Sequence, residues 1–272
     1  MTSPRPLLDS VGFSLARVAP ALISLAVVRL PADETVAARY IEQLLLLAAT
    51  LLAWNLAEGT FAVYLRAKER AAAPARGYLI VTFIFGFVVL ALLGVFRSQA
   101  SQGLFLILLA VLSLRGMSRV SWDQSRRRLA MATTVSAHSV LALLSLLCAL
   151  GDLTWPTAIL ALGVGLAASS VELAWHAEEL SPPATVRFAA PLFRVCLIGG
   201  PLIVASMAFT GLLPFLFSIT YVAVLPGLRI IATLRRSGSA LPKSVRPTLA
   251  VFALFIGIMA AVHTYGSRVL GQ

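Results

Sequence analysis

The stretch YIEQLLLLAATLLAWNLAEGTFAVYL, residues 40–65, is apolar enough and long enough to cross a membrane as one helix. A helix needs about 20 predominantly apolar residues to span roughly 30 Å of hydrocarbon. The charged side chains in this stretch are Glu42 near one end and Glu58 towards the other. With its flank, the segment 36–65 forms a helix of about 45 Å, which must tilt or project into the cytoplasm.

The whole chain has the same character. Of its 272 residues, 59% are hydrophobic and only 12% are charged, and the mean hydropathy is +0.92. Soluble domains have roughly twice that share of charged residues. No polar linker divides the chain, so the sequence predicts an all-α, polytopic transmembrane helical bundle in which residues 1–272 form a single integral membrane domain.

Apolar runs separated by proline and glycine predict about nine membrane spans. Breakers such as Pro31, Pro74 and Gly151 fall between the runs, where helices end. The predicted spans are residues 11–30, 36–65, 78–96, 103–120, 129–150, 156–176, 189–208, 211–233 and 247–265.

The basic residues predict how the chain is oriented. A net charge of +11 suggests nucleic acid for a soluble protein, but here Lys and Arg gather in short loops, which is typical of cytoplasmic loops beside anionic lipid. Counting Arg115 with the loops, one side of the membrane holds sixteen of them and the other side four. The sequence therefore predicts a cytoplasmic N-terminus in the inner (plasma) membrane, with membrane lipid and not nucleic acid as a partner.

Two groups of polar side chains interrupt the apolar pattern. Asn55 and Glu58 share one face of the second span, and Glu172, His176 and Glu179 share a stripe at the end of the sixth. A carboxylate facing lipid is costly, so these side chains should point into the bundle or a wet cavity. Alternatively, Asn55 and Glu58 only pair with neighbouring helices or with nearby basic residues.

Both acidic groups are predicted to lie towards the cytoplasm, where they could bind a divalent cation through oxygen ligands. We predict Glu58, Glu172 and Glu179 as metal ligands, with magnesium as the candidate ion. The predicted substrate-binding residues are Asn55 and the basic residues that could attract a diphosphate: Lys68, Arg70, Arg126, Arg127 and Arg128. No catalytic residue is identified.

The remaining polar residues at membrane depth carry weaker signals. His138, beside Ser136 and Ser139, has the pattern of a packing residue. Cys148 and Cys196 lie in apolar runs without metal or redox spacing, which indicates small core residues.

The segments AWNLAEGTF (53–61) and YLRAKERAAAPARGYL (64–79) resemble the first motif region of the UbiA superfamily of intramembrane prenyltransferases. That family has nine helices and two aspartate-rich motifs that hold magnesium and a prenyl diphosphate. The resemblance implies binding or transfer of an isoprenoid or lipid-borne substrate. The aspartates of the family are replaced here by Glu58, Glu69, Glu172, Glu178 and Glu179.

The last third of the chain resembles the YwiC-like family of bacterial membrane proteins, whose activity is unassigned. The segments that carry this resemblance are TGLLPFLFSITYVAVLPGLRII (210–231) and ALPKSVRPTLAVFALFIGIM (240–259). They have that family's succession of a proline-bearing helix, a basic loop and a final helix.

A different resemblance leads to a different function. LARVAPALISLAVVRL (15–30) and LRGMSRVSWDQSRRRLAMA (114–132) are similar to helices and a basic loop in the first half of polysaccharide flippases. The alternative to a UbiA-like protein is therefore a lipid or polysaccharide flippase-like transporter, or a subunit of a membrane complex. For a transporter we expect polar groups along a path through Glu42, His138 and Arg17.

Overall fold

The computed structural model describes residues 17–18, 34–69, 75–123, 126–150, 153–179, 183–236 and 245–269. Within these ranges the chain forms helices and short links, and no strand. The elements are α1 Glu34–Glu69, α2 Ala75–Gln99, α3 Gln102–Asp123, α4 Arg127–Leu150, α5 Trp155–Glu179, α6 Pro183–Phe209, the 3-10 helix η1 Phe215–Ala223, α7 Val224–Arg236 and α8 Val245–Val269. The predicted all-α class is confirmed for this part of the chain.

Eight helical segments in the described ranges are long and apolar enough to cross a membrane. They coincide with the second to ninth predicted spans, from Glu34–Leu65 to Val245–His263. Of the first predicted span, residues 11–30, only the helical Arg17 and Val18 are described. The chain thus has the helices of a multi-pass membrane protein.

The eighth predicted span, residues 211–233, differs from a regular α-helix. It begins as the nine-residue 3-10 helix η1 after Pro214 and continues as α7. Pro226 lies in the first turn of α7 and lacks an N–H that could bond to the preceding turn. The change from 3-10 helix to α-helix therefore lies next to a residue that has no backbone N–H to donate.

The helices fall into two compact units. The smaller unit, Pro31–Phe105, contains α1 and α2. Gln43 donates its side-chain amide to the backbone carbonyl of Gln99 at 2.9 Å, and Gln99 donates to Glu42 at 2.7 Å. The hydroxyls of Thr60 and Thr82 form a further hydrogen bond at 2.9 Å. These polar contacts fix the pairing of two otherwise apolar helices.

The larger unit, Met1–Leu30 with Leu106–Gln272, contains the remaining helices. Its core is made of small and branched side chains from α4, α5 and α6 together with aromatic side chains of η1 and α8, such as Phe217 and Phe255. Cys148 and Cys196 are buried and free, as predicted for core residues.

Two glycines allow the helices of this core to approach closely. A Cβ atom on Gly165 would lie 2.4 Å from the Cα of Ser139 on α4. A Cβ on Gly200 of α6 would lie 2.6 Å from the carbonyl oxygen of Gly163 on α5. In both cases the obstacle is backbone, which cannot move aside as a flexible side chain can. The hydrophobic effect does not drive helices together in lipid, so close van der Waals packing must do so. Small residues at the crossings allow that close packing.

We predict that Gly165→Leu and Gly200→Leu each prevent the α4–α5–α6 core from forming. The loss should exceed the roughly 1–3 kcal/mol typical of overpacking, because backbone atoms are in the way. Thermal unfolding of the detergent-solubilised protein measures the effect. Gly86→Leu on α2 is the matched control, since nothing lies within 4 Å of a Cβ there. Equal stability of all three variants would contradict the packing described here.

Candidate functional site: a buried ionic cluster

The carboxylate of Glu172 on α5 is the centre of a cluster of charged and ionisable side chains. Glu172 is only 3% exposed, and Arg17 is 5% exposed. The Arg17 guanidinium contacts both carboxylate oxygens: Nη2 lies 3.1 Å from Oε1 and Nε lies 3.3 Å from Oε2. This is the bidentate arrangement that a planar guanidinium forms with carboxylates and phosphates.

Two imidazoles lie against the same carboxylate. Nε2 of His138 on α4 is 2.7 Å from Glu172 Oε2, and Nε2 of His176, one turn along α5, is 3.5 Å from Oε1. Both histidines are buried. Each carboxylate oxygen is therefore approached by the guanidinium of Arg17 and by one imidazole.

A second guanidinium joins the cluster through the backbone. Arg115 on α3 donates from Nη2 to the backbone carbonyl of Arg17, and its side chain is 1% exposed. Arg17, Arg115, His138, Glu172 and His176 together form what we call the buried ionic cluster. Among the side chains that the structure describes, the buried Arg and Glu residues are all members of it.

Hydroxyl and indole groups continue the cluster along α3 and α4. The ring of Trp122 stacks on that of His176, with centroids 4.9 Å apart. The indole N–H of Trp122 donates to Thr134 Oγ1 at 3.4 Å, and the hydroxyls of Thr134 and Ser118 are 2.6 Å apart. The side chains around the ionic groups are thus held by their own contacts.

The cluster lies within the helical bundle, away from the helix ends. The end of α3 at Asp123 and the start of α4 at Arg127 are joined by a short link, and α5 returns to the same side, where it ends at Glu179. At 1.5 Å per residue, Arg115, His138 and Glu172 lie about 12, 16 and 10 Å from these helix ends. The three side chains therefore meet inside the bundle and not at its surface.

An arrangement of this kind can bind an anionic group, as Arg17 binds the Glu172 carboxylate here. The Arg17 guanidinium supplies directional donors to the carboxylate, both imidazoles lie within 3.5 Å of it, and the low dielectric strengthens each contact. Charged groups within membrane spans are costly and typically mark ligand or ion pathways. A buried ion pair is also no more stabilising than apolar residues of similar volume, so stability alone does not account for it.

The predicted site residues are only partly brought together. Glu172 joins Arg17 and His138, while Glu58 belongs to the other compact unit, where it is half-buried and Asn55 is buried. Lys68, Arg126 and Arg128 are exposed. Arg70 and the side chains of Arg127 and Glu179 lie outside the described residues. The convergence of Glu58 with Glu172 and Glu179 on one metal ion stays a prediction.

Magnesium coordination was predicted for the same carboxylates. In the part of the chain that the structure describes, no group of three or more His, Cys, Asp or Glu side chains is arranged to hold a metal ion. Both oxygens of Glu172 face Arg17 and a histidine. Magnesium prefers oxygen ligands free of competing cations, so the Glu172 carboxylate is poorly suited to it.

The prediction that Arg115 is a loop residue was wrong. We counted Arg115 among the basic loop residues, whereas it is buried within α3. We interpreted His138 as a packing residue, and it is buried with Glu172 as its partner at 2.7 Å; the sequence did not identify that partner. The signal that could have identified both residues is their position inside apolar runs, where an ionisable side chain needs a partner.

We predict that the two histidines contribute unequally to stability. Because His138 lies 2.7 Å from the carboxylate, His138→Phe should lower the free energy of unfolding by about 1.5–3 kcal/mol, the range for a hydrogen bond to a charged group. His176→Phe should cost less, since its contact is longer and a phenyl ring can still stack on Trp122. Denaturant titration in detergent compares the variants, and a larger loss in His176→Phe would contradict this assignment.

Comparison of the chain with protein-family models, with curated proteins and with solved structures found no match.

Proposed function

We propose that the chain is a multi-pass membrane protein that binds a lipid-borne ligand with an anionic headgroup and moves it across the bilayer, as a flippase-like transporter does. The observation that supports this most is the buried pairing of Arg17 with Glu172 on α5, a helix long and apolar enough to cross a membrane. Such pairs at membrane depth characterise substrate pathways.

The composition of the cluster favours transport over a site confined to the membrane surface. Two of the three residues expected along a transport path, Arg17 and His138, contact the same carboxylate. Arg115, His138 and Glu172 lie about 10–16 Å along their helices from the helix ends. A ligand that reaches them passes beyond the helix ends with its charged group.

We further propose nine spans, with residues 11–30 as the first, a cytoplasmic N-terminus and location in the inner (plasma) membrane. The distribution of Lys and Arg supports this orientation, and the resemblance to YwiC-like proteins suits a bacterial membrane. Labelling of single cysteines introduced in the predicted loops, from each side of the membrane in turn, tests it.

A lipid-scrambling assay tests the transport function. Purified protein is reconstituted into vesicles that contain a fluorescent polyprenyl phosphate, and dithionite is added outside to reduce the label it can reach. With the wild-type protein nearly all of the label should be reduced, because ligand from the inner leaflet moves outwards. Reduction limited to the outer-leaflet fraction, as in protein-free vesicles, would exclude transport of this lipid.

A second candidate is a UbiA-like protein that binds or transfers an isoprenoid diphosphate with magnesium. The burial of Asn55 beside half-buried Glu58 on a membrane-spanning helix supports it. In that case prenyl diphosphate binding by the purified protein depends on magnesium and is lost in Glu58→Ala and Glu172→Ala. Binding that is independent of magnesium and unchanged in Glu58→Ala would remove this candidate.

A further inference from the structure

We propose that Glu172 makes the buried ionic cluster selective for phosphate groups that carry two or more negative charges, and excludes the singly charged phosphodiesters of ordinary membrane lipids. The proposal rests on the proposed binding of a lipid-borne anionic ligand. It adds the class of headgroup and the residue that sets it: a phosphate monoester or diphosphate competes with an internal carboxylate for the same donors.

The donors around Glu172 suit phosphate as well as carboxylate. Arg17 contacts the two oxygens at 3.1 and 3.3 Å, and His138 contacts one of them at 2.7 Å. Phosphate oxygens accept the same bidentate guanidinium contact. A phosphate placed at the carboxylate position can therefore use the donors that Glu172 uses now.

Because the cluster is buried, a ligand must replace the Glu172 carboxylate at Arg17 and cannot bind beside it. Arg17, His138 and Glu172 are each at most 5% exposed, so a ligand reaches the donors of Arg17 only when the carboxylate moves away. Arg115 donates to the backbone carbonyl of Arg17, which anchors the residue whose guanidinium receives the ligand. The free energy of binding is then the difference between the contacts of the ligand and those of Glu172.

The charge of the ligand decides that difference. A phosphodiester carries one negative charge, as the carboxylate does, and replacing one with the other gains little Coulomb energy. A phosphate monoester carries about −1.5 to −2 at pH 7, and its second charge strengthens the interaction with the Arg17 guanidinium in a low dielectric. Glu172 thus sets a threshold that the surrounding phospholipids do not exceed. Specificity of this kind arises from a competing interaction as much as from attraction.

A matched pair of ligands tests the proposal in the wild-type protein. Binding of farnesyl phosphate and of its methyl ester is measured by calorimetry in detergent at pH 8, where the monoester is close to doubly charged. The ligands share one tail, so we expect the monoester to bind roughly tenfold or more tightly, equivalent to at least one charge-assisted hydrogen bond. Inorganic diphosphate is then added as a competitor to separate the two sources of the phosphate group. If it displaces farnesyl phosphate, the ligand is a soluble phosphate. If it does not, the ligand is lipid-borne.

Glu172→Gln should remove the selectivity, since the neutral amide no longer competes with a singly charged phosphate. The methyl ester should then bind nearly as well as the monoester does, whereas Arg17→Gln should weaken both. Glu34→Gln removes the same charge from an exposed carboxylate in the first turn of α1, and it should leave the selectivity unchanged.

The outcomes separate this inference from the proposed function. Equal binding of the two ligands by the wild-type protein overturns the selectivity and leaves lipid-anion binding intact. Absence of binding by either ligand, in the wild-type protein and in Glu172→Gln, overturns the proposed function as well. If Glu172→Gln fails to fold, the wild-type comparison still decides the selectivity.

Discussion

Single apolar replacements of Arg17 or Glu172 will destabilise the protein severely, and the double replacement will restore most of the loss. In Arg17→Met the carboxylate keeps only its imidazole contacts, and in Glu172→Leu the guanidinium stays buried without its carboxylate. Breaking a buried pair from one side typically costs about 3–5 kcal/mol, whereas replacing both partners with apolar residues is often neutral. Each single variant should therefore lose about 3–5 kcal/mol of unfolding free energy.

Denaturant titration of the four proteins in one detergent gives the coupling energy of the pair. Losses that simply add in Arg17→Met/Glu172→Leu would contradict a direct interaction. The restored double variant also separates stability from function, because it should fold and still fail in the lipid-scrambling assay. Transport at the wild-type rate by the double variant would show that the pair is only structural.

Removing the Arg115 guanidinium should weaken ligand binding while the Arg17–Glu172 pair still forms. Arg115→Leu deletes the donor that holds the Arg17 carbonyl, and with it the contact that positions the Arg17 guanidinium. We expect the affinity for farnesyl phosphate to fall roughly 10- to 100-fold, the equivalent of one or more charge-assisted hydrogen bonds.

The control for this prediction lies one turn away on the same helix. Arg119→Leu removes an equal charge from a half-buried position on α3 and should leave the affinity within about twofold, well under the tenfold step of 1.4 kcal/mol. Calorimetric titration in the same detergent measures both variants. Equal weakening by the two substitutions would mean that the ligand responds to overall charge and not to the buried ionic cluster.

The positions of the membrane spans could be predicted because they depend on local composition. An apolar run of about 20 residues bounded by proline or glycine has one favourable structure in lipid, a helix in which every backbone group is paired. The segments from Glu34–Leu65 to Val245–His263 followed from this rule. The change to a 3-10 helix at Phe215–Ala223 did not, because hydropathy carries no information on hydrogen-bond register.

The site could not be assembled from the sequence in the same way. Arg17 and Glu172 are 155 residues apart, and their contact depends on the rotation and order of several helices. Gly165 is an example of what fixes that rotation: its contact with the backbone of Ser139 brings α4 and α5 together, which places His138 beside Glu172. Spacing within a helix predicted that Glu172 and His176 share a face, but not which helices that face meets.

Photo-crosslinking with a farnesyl phosphate analogue that carries a diazirine beside the phosphate tests the central claim most directly. The claim is that the anionic end of the ligand reaches the buried ionic cluster. Mass spectrometry of the labelled protein should find adducts in the peptides around Arg17, His138 and Glu172, and these adducts should disappear when excess unlabelled farnesyl phosphate is present. Adducts confined to the region from Asn55 to Lys68 would contradict the claim and favour the UbiA-like alternative.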